Sequence, residues 1–259
     1  MTFPSLSEKF TDETSYPPRV FLEALLESGW TPGTVPQSVV FTYARFELYL
    51  ATRPDLYTPN HMLGTGPGRF YLVNESDGRV GINCLGIGAP AAVAQMELQA
   101  ELGARRFISI GTAGGFQTDL VPGDNVLITS AIRDEGTSYH YLDPEVPAVP
   151  DPDLTRAYAA ALDAAGIHYR SGATQTTDAP NRTTPREVRH HRDDGVLTVE
   201  MEAAALFAAA AALGVQCASA LVVDGVADED CNWHLGLPAA NAALQELFAA
   251  TISFLTELG

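Results

Sequence analysis

The feature of this sequence that most constrains its fold is a repeated order of short apolar run, glycine-rich turn and longer alanine-rich segment. Residues 79–85 and 106–110 have the composition of buried strands. Residues 91–102 lie between them, follow Pro90 and end at Gly103, as is typical of a helix. This alternation predicts an α/β fold, in which helices cover both faces of a mixed, largely parallel central sheet.

The same order continues towards the C-terminus and defines one large domain. Residues 1–36 are interpreted as an N-terminal extension that contains a helix at 20–28. Residues 37–259 are predicted to form a single domain, because the chain is 46% hydrophobic and long enough for one core. Further strands are predicted at 125–133, 173–177 and 215–223, and further helices at 200–213 and 239–258.

Four segments follow the predicted strands, and a functional site is expected among them. In open α/β sheets, ligands bind at the carboxyl ends of the strands. The segments are residues 86–90, 111–115, 176–183 and 224–228. The first matches a dinucleotide-binding fingerprint in form, but the strand ending at Ile110 lacks the acidic residue that this fingerprint requires. A tight strand-to-helix turn is therefore favoured over a nicotinamide cofactor site.

The charge and composition of the chain exclude several classes of partner. A formal net charge of −17 repels nucleic acid and anionic membranes, so neither is an expected partner. The N-terminus has no basic segment followed by an apolar one, and no apolar run is typical of a membrane span. A cytoplasmic location is therefore expected, without a signal peptide or membrane anchor.

No metal site is expected either. The three cysteines lack paired spacing, which disfavours a zinc site or a disulfide framework. His190 and His191 lie in a basic run, and Asp228, Glu229 and Asp230 follow a predicted strand. Both groups contain side chains that can bind a metal ion, but a solvated surface is the favoured interpretation of each.

Two short motifs carry most of the chemical information. The segment 111–115, GTAGG, places three glycines and Thr112 after a strand, where backbone N–H groups and a hydroxyl can bind an oxyanion. The segment 199–203, VEMEA, places Glu200 and Glu202 at the start of an otherwise apolar helix. A helix N-terminus favours acidic residues but does not explain the Met201 between them. A buried carboxylate needs hydrogen-bond donors, and ribose hydroxyls are suitable ones.

Five segments in order give the chain a specific resemblance. They are FISIGTAGGFQ at 107–117, VPGDN at 121–125, RDEGTSY at 133–139, TTDAPNRT at 176–183 and GVLTVEMEAAALF at 195–207. This order resembles the nucleoside phosphorylase and nucleosidase superfamily, most of all its uridine phosphorylase branch, over roughly residues 37–255. The resemblance implies an αβα sandwich around a partly barrel-like sheet, and a homo-oligomer that is a dimer or a trimer of dimers.

The resemblance also implies roles for individual residues. Glu202 matches the carboxylate that binds the ribose hydroxyls and stabilises the cationic sugar of the transition state, and Met201 matches the residue under the sugar. Thr112 matches the hydroxyl that contacts phosphate and sugar, and Arg45 matches an arginine that closes a phosphate loop. Arg182 falls where the uridine branch binds a pyrimidine carbonyl. Other positions expected in the substrate site are Gly114, Glu200, Thr177 and Arg133.

Three departures from the family pattern affect the expected chemistry. Phe41 replaces a glycine of the phosphate loop, and Ser109 replaces an arginine that would bind an oxyanion with two hydrogen bonds. Gly225 stands where the family has an acid or arginine for the leaving base. Asp224, one position earlier, is the expected catalytic substitute, and Arg182 is its rival.

Three functions are consistent with these residues. The first is a nucleoside phosphorylase that prefers a uridine-like substrate, uses inorganic phosphate as co-substrate and needs no cofactor. The second is a hydrolytic nucleosidase, which the loss of the arginine at Ser109 favours. The third is a nucleoside-binding protein that has lost catalysis.

Overall fold

The predicted central sheet is present, and it closes on itself. The computed structural model describes residues 9–43, 46–60 and 69–258. The strands that these residues form are β1 Ser38–Tyr43, β2 Tyr57–Pro59, β3 Phe70–Val73, β4 Val80–Leu85, β5 Arg106–Gly115, β6 Asn125–Asp134, β7 Tyr169–Thr177, β8 Thr198–Glu200, β9 Gln216–Ala227 and β10 Trp233–Leu235.

The α-helices lie between the strands, largely where the sequence places them. They are α1 Pro18–Glu27, α2 Glu47–Ala51, α3 Ala89–Leu102, α4 Pro152–Ala164, α5 Pro185–Asp193, α6 Ala203–Leu213 and α7 Leu237–Leu258. Helix α5 begins with a capping box, in which Thr184 and Glu187 satisfy each other's backbone N–H groups. None of the helices in the described ranges combines the length and the apolar character needed to cross a bilayer.

The sheet is mixed, and part of it forms a closed ring. Its strand order is β10-β9-β6-β7-β8-β5-β1-β4-β3-β2, and β9 also pairs with β5. The pairs β1–β4, β1–β5 and β5–β9 are parallel, whereas β6–β9 and β5–β8 are antiparallel. Because β9 pairs with both β6 and β5, the strands β9, β6, β7, β8 and β5 form a barrel-like unit, with β1 to β4 extending from it.

Apolar side chains fill the space on both faces of the sheet. On one face α3 and α6 pack together, and the side chains of Ala203 to Ala210 are all buried there. On the other face α4 and α7 contribute large buried residues such as Tyr158 and Phe248. Small alanine side chains let α6 approach the sheet closely. The arrangement confirms the predicted αβα sandwich.

Two segments predicted as turns belong to strands. Residues 111–115 continue β5, which pairs with β9 along its whole length and with β8 at Gly114 and Gly115. Residues Asp224 and Gly225 lie within β9 rather than after it. None of the three glycines in GTAGG has the positive φ that a tight turn would need. Their role is close packing, since a Cβ at Gly111 would lie 3.0 Å from the Tyr43 ring.

The boundary between β8 and α6 also differs from the prediction. Glu200 ends a short strand, and α6 begins only at Ala203. Both carboxylates therefore precede the helix instead of lying within it. The cause is the pairing of β8 with β7 and β5, a contact between distant residues that the local helix propensity of the alanine run does not reveal.

Candidate active site

A cavity of about 570 Å³ opens at the carboxyl ends of the central strands. All four segments expected to follow strands contribute residues to its wall, so the fold brings them together around one cavity. The lining residues are Tyr43, Ile87, Thr112, Ala113, Gly114, Pro180, Asn181, Thr183, Val199, Glu200, Met201, Glu202, Asp224, Trp233 and Leu235.

Glu202 is a buried acidic group in the cavity wall, and it accepts fewer hydrogen bonds from the protein than its neighbour Glu200. Its side chain is only 6% exposed. One oxygen, Oε1, accepts a hydrogen bond of 2.5 Å from the backbone N–H of Gly88, in the turn after β4. Burial, and after it the charge of Glu200, raises the pKa of Glu202 to about 8. The carboxyl therefore retains its proton to a higher pH than an exposed glutamate does, unless a ligand stabilises its charge.

Glu200 has a different environment, although it lies two residues away. Its Oε1 accepts a hydrogen bond of 2.5 Å from the Thr176 hydroxyl. Its Oε2 accepts the backbone N–H groups of Glu202 at 2.7 Å and Ala203 at 2.8 Å. Burial outweighs these donors and raises its pKa to about 7. Glu200 lines the cavity, but its oxygens are used to hold the start of α6 in place.

Asp224 and Thr112 lie on the neighbouring strands β9 and β5, and both line the cavity. Asp224 is half-buried on β9, and its carboxylate has no hydrogen bond from the residues that the structure describes. Thr112 is exposed on β5. Both also line an adjoining cavity of about 340 Å³, which extends towards Asn241 and Gln245 on α7. They therefore stand where the two cavities meet.

Tyr43 also lies where the two cavities meet, although it is not among the site residues predicted from the sequence. Its hydroxyl forms a 2.8 Å hydrogen bond with the buried hydroxyl of Ser109. Burial raises the pKa of the Tyr43 phenol well above its ordinary value, and the charge of Glu202 adds to this effect. Among the described residues that line either cavity there is no lysine, arginine or histidine. The Tyr43–Ser109 pair is thus neutral where the family pattern has a cation.

Arg182 and Thr177, two of the predicted site residues, lie outside the wall of the cavity. Arg182 is exposed on a 3₁₀ turn, although its neighbours Pro180, Asn181 and Thr183 line the cavity. Thr177 is buried at the end of β7, and its hydroxyl accepts the backbone N–H of Ala179. Arg45, also predicted to bind phosphate, falls outside the described residues.

Arg133 is also absent from the cavity wall. Its guanidinium donates to the Ser138 hydroxyl at 2.9 Å and to the carbonyls of Leu142, Asp143 and Val146. It also lies over the ring of Tyr139. These contacts use Arg133 to fold the segment after β6, so the structure does not bring it to the predicted substrate site.

The remaining wall of the cavity comes from β10. Trp233 is 38% exposed and lies over Gly114, where an added Cβ would be 2.6 Å from the indole Cζ3. Only the pairing of β10 with β9 brings it to the site, and sequence periodicity contains no signal for a strand of three residues.

The acidic and histidine-rich segments weighed as metal ligands have internal partners. Asp228 accepts backbone N–H groups of Asp230 and Asn232 and contacts His234 Nε2 at 2.8 Å. His191 stacks on Phe116. No group of three or more histidine, cysteine or acidic side chains within the described ranges is arranged to hold a metal ion.

Comparisons with known proteins identify the family of the chain. The model of a family described as the phosphorylase superfamily matches residues 39–254. The chain is 35% identical to a guanosine phosphorylase of Halorubrum lacusprofundi, over 60% of this chain and 66% of that protein. It is 34% identical to a uridine phosphorylase of Treponema pallidum, over 56% of this chain and 61% of that protein. It is 34% identical to the uridine phosphorylase of Escherichia coli, over 55% of this chain and 62% of that protein. The matches thus span less than two thirds of each relative.

Proposed function

The chain belongs to the phosphorylase superfamily, and from that premise we propose that it is a nucleoside phosphorylase with a preference for uridine. It would cleave the N-glycosidic bond with inorganic phosphate and release the free base and ribose 1-phosphate. Several relatives are named uridine phosphorylases, which supports the preference for the base. The observation that carries the proposal is the position of Glu202 in the cavity wall.

Glu202 suits the binding of a sugar. The Gly88 N–H holds only one of its oxygens, so the carboxyl can also accept hydrogen bonds from two neighbouring ribose hydroxyls. Such donors favour the ionised form, and the raised pKa means that sugar binding is coupled to loss of the proton. The negative charge then lies next to the sugar as it develops positive charge. Because the site is buried and the carboxylate is fixed, little reorganisation is needed in the transition state.

Phosphate would attack from the junction of the two cavities. The Thr112 hydroxyl stands at that junction, and the Tyr43 and Ser109 hydroxyls lie beside it. The positive charge would come from Arg45, which the family pattern places in the phosphate loop. The departing base needs a proton or a hydrogen-bond donor, and Asp224 and Arg182 are the two candidates near it.

Hydrolysis is the second candidate function, and the Tyr43–Ser109 pair favours it. A neutral hydroxyl pair binds a water molecule more readily than it binds a phosphate dianion, which prefers arginine. In that case a water molecule at the cavity junction would attack the sugar, and the product would be free ribose.

One incubation distinguishes these functions. Uridine, thymidine, inosine, adenosine and guanosine are each incubated with the protein, with and without phosphate, and both products are identified. We expect uracil and ribose 1-phosphate, formed only with phosphate. Free ribose, formed at the same rate without phosphate, would establish the nucleosidase. If the folded protein cleaves none of these nucleosides, the remaining function is nucleoside binding without catalysis.

A further inference from the structure

Trp233 is fixed in place by the hairpin that carries it. Asp228 organises the turn between β9 and β10 through the N–H groups of Asp230 and Asn232. The Arg192 guanidinium donates to the carbonyls of Ala227 and Asp228, which holds the base of the turn. The hairpin therefore presents the indole in one position, and Trp233 is part of the cavity wall.

The indole lies directly beside the segment that carries the carboxylates. Gly114 on β5 pairs with Val199 on β8, and Val199 immediately precedes Glu200. The Cβ that Gly114 lacks would contact both Trp233 and Val199, so these two side chains meet over one glycine. A ligand whose sugar binds Glu202 can thus extend along this wall with its next group against the indole.

This end of the cavity is apolar and suits a planar ring. Val199 lies beside Trp233 there, and Leu235 and Pro180 also line the cavity; none of these side chains carries a charge. Phe116 backs the indole, with its ring centroid at 6.3 Å. An aromatic ring that is packed on one side and 38% exposed towards a cavity offers a face for stacking.

We propose that Trp233 forms the base-binding subsite, in which a planar, neutral heteroaromatic base stacks on the indole while the attached sugar reaches Glu202. The inference rests on the proposed function and specifies which side chain binds the base. Stacking on an aromatic side chain does not depend strongly on base identity, because every base has a π-face. Trp233 therefore supplies affinity for the base, and selection among bases comes from polar groups around it.

Tryptophan fluorescence tests the subsite directly. The chain has two tryptophans, and Trp30→Phe leaves Trp233 as the only one. This variant is titrated with uridine in the absence of phosphate, while equilibrium dialysis with radiolabelled uridine measures binding independently. We expect the Trp233 emission to decrease as uridine is added, with the same dissociation constant that equilibrium dialysis gives. Uracil alone should quench the emission, whereas ribose alone should not.

Substitutions at two positions provide the second arm of the test. Trp233→Leu should weaken uridine binding about tenfold, and Trp233→Phe by less than about threefold, because phenylalanine keeps an aromatic face. Gly114→Ala places a methyl group against the indole and should also weaken binding. Combined with Trp233→Leu it should add little, since the two changes act on the same contact. Thermal unfolding of each variant confirms that it is folded.

Two results would overturn the inference in distinguishable ways. If dialysis shows saturable uridine binding while the Trp233 emission and the affinity of Trp233→Leu are unchanged, the base binds elsewhere and the proposed function stands. If dialysis shows no nucleoside binding by folded protein, the proposed function fails and the inference fails with it.

Discussion

At the scale of single residues, the site depends on two neighbouring carboxylates with different environments. Glu200 accepts three hydrogen bonds from the protein, whereas Glu202 accepts one from Gly88. Pairs of acids whose surroundings differ in this way commonly divide structural and chemical roles between them. We therefore assign the positioning of α6 to Glu200 and the contact with the sugar to Glu202.

Removing the charge of Glu202 tests its assigned role. Glu202→Gln keeps the size and one acceptor oxygen but removes the negative charge, so kcat should fall by about a hundredfold or more. Glu135→Gln is the matched control, because Glu135 is equally buried but lies outside the cavity. A loss of less than about fivefold in Glu202→Gln would make Glu202 a structural residue.

The pH dependence of the reaction follows from the raised pKa of Glu202. The carboxyl must be ionised to stabilise the sugar, so kcat/KM should rise as the pH increases through about 8 and level off above that value. Glu200→Gln removes a neighbouring negative charge and lowers the pKa of Glu202, so the rise should move to lower pH. Both profiles are measured in the same phosphate buffers. A shift in the opposite direction would contradict the proposed coupling.

Asp224 and Arg182 can be separated by their effects on different bases. The carboxylate of Asp224 faces the cavity, whereas Arg182 lies on the exposed turn next to its rim. If Arg182 reaches over the rim to the base, Arg182→Ala should abolish uridine cleavage while Asp224→Ala is mild. If guanosine or inosine is the better substrate and Asp224→Ala removes that activity, the preference for uridine is wrong. Initial rates of each variant with uridine, guanosine and inosine distinguish these two outcomes.

At the scale of strands and helices, sequence reasoning placed the elements that it identified, but it misjudged the carboxyl ends of β5 and β9 and missed several short elements. The glycine run 111–115 and the Asp224–Gly225 pair resemble turns locally, yet both lie in strands because β5 and β9 pair along their full length. Strand pairing joins residues about 110 positions apart, and local composition has no information about it. Tyr43 was missed for a related reason, since β1 was not identified as a strand.

Arg133 shows that a residue expected from a motif to bind a ligand can instead stabilise the local fold. Its guanidinium binds three backbone carbonyls and a hydroxyl between residues 138 and 146. Arg133→Met should lower the free energy of unfolding by about 2 kcal/mol, because several charge-assisted hydrogen bonds are lost. The control Arg156→Met removes only an exposed contact with Asp153 and should change it by less than about 0.5 kcal/mol. Urea unfolding measures both, and equal effects would refute the structural role.

At the scale of the whole molecule, the fold explains why the motifs of this sequence converge. The cavity residues come from β1, β5, β8, β9 and β10 and from the segments after β4, β7 and β8, and some lie more than 150 positions apart, but the sheet brings them to one edge. The position of the cavity could therefore be predicted, together with Thr112, Met201 and Glu202 in its wall. The placement of Trp233 and the diversion of Arg133 could not, because both depend on loops whose conformations the sequence pattern does not specify.

A crystal structure with uridine, grown without phosphate, tests the central claim most directly. The account predicts that the ribose hydroxyls lie within hydrogen-bonding distance of the Glu202 carboxyl, with Met201 beneath the sugar and the base on Trp233. Uridine bound with its sugar away from Glu202, for instance in the adjoining cavity beside Asn241, would contradict it.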